Sequence, residues 1–121
     1  MPPLTLYLRL HAQRSAILDD LLVFADAGQQ RAVDAAIAML QSLYQAETVT
    51  DCPYARKLQG LSVWELKTHA RGGVVGGTRV YFYLRAQGIP VIVNAEIKEG
   101  DAPGSALREA ILVAHSAQRR R

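Results

Sequence analysis

The sequence predicts an α+β domain with helices packed on an antiparallel sheet, and three observations carry that expectation. The chain opens on strict apolar alternation, changes to two stripes at helical spacing, and then runs through three strand-like segments before a last helical stripe. The 121 residues fit one domain spanning 1–121, and half of them are hydrophobic, enough for a core without staples.

Pro2-Pro3 keeps the N-terminus extended, and Leu4 to Leu10 places apolar residues at every second position, the period of a strand. From Ala12 the period lengthens. Ile17, Leu18, Leu21, Leu22 and Ala25 make one helical stripe, stopped by Gly28. A second helix from about Gln29 carries Val33, Ala36, Ile37, Leu40, Leu43 and Tyr44 on one face, so the pair reads as an αα-hairpin. Thr48 to Tyr54, with Asp51 and Pro53, reads as a loop. Three strands follow, Leu61 to Ala70, Thr78 to Arg85 and Ile89 to Lys98, joined by Gly-rich segments as a meander. A C-terminal helix from about Ser105 presents Leu107, Ala110, Ile111 and Ala114 inward.

Composition excludes several classes. Cys52 is the single cysteine, so neither a disulfide scaffold nor a zinc site built on paired cysteines is available. His11, His69 and His115 lack H-x-x-x-H spacing, and no metal or other cofactor is expected. No apolar run reaches the roughly 20 residues of a membrane span, and no signal peptide is read, so a cytoplasmic setting without a membrane is expected. Fourteen Lys and Arg against eleven Asp and Glu leave a charge of +3, which permits a polyanionic partner without requiring one. Gly72 to Thr78 resembles a phosphate-binding loop but lacks its lysine and lies between two strands, so it reads as a hairpin tip.

The period of two sorts the sheet faces. Trp64, Leu66, Val80, Phe82, Leu84, Val91, Val93, Ala95 and Ile97 fall on the side that needs helices as cover. Glu65, Lys67, His69, Arg79, Tyr81, Tyr83, Ile92, Asn94, Glu96 and Lys98 fall on the other. Cations for phosphates and aromatic rings for splayed bases suit RNA, although a solvated face carries charges for solubility alone. On this sorting Lys67, Arg79, Tyr81 and Lys98 share one exposed face within reach of a single phosphodiester.

Lys57-Leu58-Gln59-Gly60-Leu61, Val63-Trp64-Glu65-Leu66-Lys67 and Gly77-Thr78-Arg79-Val80-Tyr81-Phe82-Tyr83 resemble the RelE/HigB superfamily of bacterial toxins, most of all its phage-derived HigB-like branch. The likeness runs from about Lys57 to Pro103. It implies a RelE-like fold and a metal-independent endoribonuclease that cuts messenger RNA, in which the 2′-hydroxyl attacks the adjacent phosphate. The implied partners are a cognate antitoxin and messenger RNA, with the ribosome as a further candidate. Carried over residue by residue, Arg79 would hold the scissile phosphate, Lys67 would act in charge stabilisation or proton transfer, and Lys98 would add charge at the end of the third strand. Lys57, His69, Tyr81 and Tyr83 would contact RNA. Glu99 stands where the family has a second cation, and Leu107 stands near the place of a catalytic tyrosine in some members. A non-catalytic binding member and a ParE-like protein acting on DNA gyrase therefore stay open.

Overall fold

A computed structural model describes residues 4–9, 14–68, 77–98 and 103–119. The α+β class is as expected: among the described residues three α-helices accompany a mixed sheet of five strands and a separate sheet of two. The N-terminal strand is divided. β1 (Thr5–Leu6) joins the main sheet, while β2 (Leu8–Arg9) pairs antiparallel with β3 (Arg14–Ser15). Helices α1 (Ala16–Asp26) and α2 (Gln30–Gln45) form the expected hairpin. The Ser15 hydroxyl accepts the Leu18 N–H at the start of α1, and Gly28, at φ 78°, ends the turn between the helices in a conformation that L side chains rarely adopt.

The rest of the main sheet is β4 (Ala55–Lys57), β5 (Trp64–Lys67), β6 (Thr78–Leu84) and β7 (Pro90–Ile97), in the order β1-β7-β6-β5-β4. The three strands of the expected meander pair antiparallel, and β1 lies parallel to β7. β4 is an addition. It begins just past the Thr48 to Tyr54 loop, which contains one 3-10 turn, and pairs antiparallel with β5.

Helices cross both faces of the sheet, which corrects the expectation of a polar face solvated throughout: among the described residues it reaches solvent mainly toward β4 and β5, at Arg56 and Lys67. On one side Ile17, Leu21, Val33, Ala36, Met39 and Leu43 of α1 and α2 pack on Leu66, Val80, Phe82, Ile92 and Ala95. On the other, Ala110 and Ala114 of α3 (Ala106–Arg119) pack on Val63, Tyr81 and Val93. A helix stripe identifies which of its own sides is apolar, not which side of the sheet it will cross. The alternation also breaks once: Tyr81 pairs with Asn94 but Phe82 with Ile92, so Val93 is the extra residue of a bulge. Ile92 thereby joins Ala95 on the α1/α2 side, and Val93 turns toward α3. The helix stripes are narrower than expected, for Leu18, Leu22, Ile37 and Tyr44 are exposed.

Candidate functional site

The charged cluster stands where β4, β5 and β6 lie side by side. Arg56 pairs with Glu65 across β4 and β5, and Lys67 pairs with Arg79 across β5 and β6. Residues opposite each other in a ladder project from the same face, so Arg56, Glu65, Lys67 and Arg79 converge there. Glu65 is the hub. Its Oε1 accepts from Arg56 Nε at 2.7 Å and its Oε2 from Arg79 Nη1 at 3.2 Å.

Exposure divides these residues. Glu65 and Arg79 are each 0% exposed, whereas the Arg56 side chain is 56% exposed. A guanidinium sealed from water is stable only with a partner, and the Glu65 carboxylate supplies one. Lys67 is half-buried. Its ammonium is held below the ordinary lysine range, first by burial and then by the charge of Arg56, with Arg79 and Lys98 adding to the repulsion and Glu65 opposing it. Lys98 is buried, its backbone N–H donating to the Gly77 carbonyl and its Nζ to the Thr68 carbonyl at 3.4 Å.

The expected set therefore shares a face but not exposure. Arg79, Tyr81 and Lys98 are buried, and only Lys67 among the expected catalytic residues reaches solvent. The Tyr81 hydroxyl donates to Glu96 Oε2 at 3.1 Å, and burial followed by the Glu96 charge pushes its pKa up, so the ring is a packing element and not a stacking platform. Tyr83 is half-buried beside α3. Lys57 is exposed but pairs with Trp64, whose ring packs in the α1/α2 core, so it projects from the opposite face. His69 and Glu99 lie outside the described residues.

Arg56 is the functional candidate that sequence patterning missed, because three residues of β4 are too few to show an alternation. Glu96, expected on a polar face, instead accepts the Gly104 and Ala106 N–H groups at the N-terminus of α3. Among the described residues no three His, Cys, Asp or Glu side chains converge as metal ligands would. None of their helices is long and apolar enough to cross a membrane.

No protein-family model matches the chain, and no curated protein matches it at a significant level.

Proposed function

We propose that the protein is a RelE/HigB-like toxin that binds and cuts messenger RNA in the cytoplasm and is silenced by a cognate antitoxin. The order of strand, αα-hairpin, antiparallel meander and helix is compatible with a RelE-type arrangement. The observation that carries the reading is Lys67: an ammonium at the solvent boundary, among Arg56, Arg79 and Lys98, with its proton loosened. Protonated, such a lysine faces the phosphate as a cation; only the fraction that has already released its proton takes the 2′-hydroxyl proton, and burial enlarges that fraction. Arg56 is the accessible guanidinium for the phosphate, and Arg79 acts behind it by holding Glu65.

Induced expression in a bacterial host should arrest growth, and Lys67→Met should relieve the arrest while the protein stays folded. Purified protein should convert RNA to fragments ending in 2′,3′-cyclic phosphate, and Lys67→Met should lose that activity at unchanged chelator concentration. Cleavage that survives Lys67→Met would remove the residue from the chemistry.

The burial of Arg79 and Lys98 favours a second reading, in which the same fold binds a partner without cutting RNA. RNA retention on a filter without fragment formation, and no growth arrest from either protein, would select it.

A further inference from the structure

We infer that the open edge of β7, in the cleft between α1 and α3, is a docking site for an extended, lysine- or arginine-bearing segment of another protein. The site lies on the far edge of β7, separated from Glu65 by β6 and adjoining the cluster through the Arg79–Glu96 pair of the ladder, and it does not depend on the RNA reading.

Strand β1 accompanies β7 only at Val91 and Ile92, with one further bond from the Tyr7 N–H to the Ile92 carbonyl. β7 itself continues to Ile97. Past Ile92 no described strand pairs with it on that side. The Ala95 N–H points to this edge and is taken by a side chain, Asp20 Oδ2 of α1 at 3.0 Å, in the position where a neighbouring strand would offer a carbonyl. The Lys98 N–H turns the other way, to Gly77. By the period of two, the Ile97 N–H therefore faces the same open edge as that of Ala95.

A cleft of about 600 Å³ follows this edge. Phe24 supplies an apolar wall, and among the described residues the charged lining is Asp20, Glu96 and Glu109 against the single cation Arg9. The chain as a whole is +3, so this acidic recess runs against its net charge. Acceptors are in surplus here. Glu96 and Glu109 are occupied by the α3 N-terminus, Arg9 and Asn94, but among the described residues Asp20 has only the Ala95 N–H and a guanidinium nitrogen 4.0 Å away. Asn94, 1% exposed, lines the same cleft, and its Oδ1 has no hydrogen-bond partner among the described residues. A segment that brings backbone N–H groups and a cationic side chain supplies what this wall lacks. Strand addition uses the backbone for affinity and alternate side chains for selection.

An inward-facing carboxylate at a strand edge also serves to prevent pairing, so the test must separate the two roles of Asp20. The probe is a fluorescein-labelled peptide alternating lysine and valine, titrated with the full chain by fluorescence anisotropy at low salt. Saturable binding is expected, weakened at least tenfold by Asp20→Asn, which keeps an acceptor for Ala95, and absent for a peptide alternating glutamate and valine. In the unaltered protein, amide exchange at Ile97 should slow when the lysine peptide is added. Failure of the lysine peptide to bind, equal binding of the glutamate peptide, indifference to Asp20→Asn, or an unprotected Ile97 amide would each overturn strand docking. Full displacement of the peptide by free lysine amide would do so too, by reducing the site to an ammonium pocket.

Discussion

Glu65 and Arg79 form an ion pair of 3.2 Å sealed from solvent on both sides, and the second oxygen of the same carboxylate holds Arg56 at the surface. Removing one member of such a pair leaves a buried charge short of its partner, at a cost of about 3–5 kcal/mol. Glu65→Leu should therefore lower the urea midpoint severely, and Glu65→Leu/Arg79→Leu should recover part of the loss because the two leucines fill the space without charge. A double variant less stable than Glu65→Leu would show that the pair is not coupled in this way. The same geometry makes Arg79→Ala a poor probe of chemistry, since lost folding would imitate lost activity.

Lys67 gives a pH signature of known sign. Its folded-state pKa lies below the ordinary 10.5, so as pH rises the folded protein releases this proton before the unfolded chain does. In the window between the two values the unfolded state binds more protons, and stability rises with pH. Lys67→Met should lack that rise, so its advantage over the unaltered protein should shrink from neutral pH toward 10.5. Urea unfolding at several pH values measures the difference, and parallel profiles would contradict the depressed lysine. Lys67→Arg should also flatten any alkaline rise in RNA cleavage, because a guanidinium keeps its proton.

The elements were legible where the signal was long. Alternation over Thr78–Leu84 and the Gly28 stop between two helical stripes each correspond to an observed element. The site was legible only in part, for reasons visible in single residues. Lys57 and Arg56 are neighbours, and which of them belongs beside Glu65 depends on the pairing of β4 with β5, which leaves no periodic mark in three residues. The run Val91-Ile92-Val93 is apolar in either phase, so nothing in it announces the bulge that exchanges Ile92 and Val93 between faces. Arg79 looked exposed because a strand pattern assigns faces but does not say which helix will cover them.

At the N-terminal side of α3, Arg9 donates to both oxygens of Glu109, at 3.0 and 2.8 Å. These bonds hold the Glu109 pKa below 4.5, so their stabilisation is present above that value and is lost as pH falls through the lowered one. Asp20 has the opposite sign: burial raises its pKa above 3.8, and in the window above 3.8 stability rises as pH falls. Glu109→Gln should cost about 1 kcal/mol at neutral pH, a modest figure because the pair is about one-third exposed, and should lose less than the unaltered protein on acidification. Asp20→Asn should be slightly more stable at neutral pH. Acid titrations followed by circular dichroism separate the two, and identical acid limbs would refute both assignments.

The Glu96 carboxylate tests how α3 is anchored. It accepts from the Ala106 N–H at 3.0 Å and from the Gly104 N–H, and it receives the Tyr81 hydroxyl from β6. A Cβ on Gly104 would stand 2.9 Å from Oε2 and 3.0 Å from Oε1, so Gly104→Ala must push the carboxylate away from the helix end. Loss of a helix-terminal acceptor costs about 1 kcal/mol, and displacing the tyrosine bond adds to it. Gly60→Ala is the contrasting substitution: nothing lies within 4 Å of its Cβ, and its cost comes from a backbone φ of 77° alone. In a Glu96→Ala background the penalty of Gly104→Ala should largely vanish, because the carboxylate it displaces is gone, whereas the penalty of Gly60→Ala should be unchanged. Thermal unfolding of the single and double variants closes the cycle. An undiminished Gly104→Ala penalty without Glu96 would mean that Gly104 is required for its backbone and not for the carboxylate it admits.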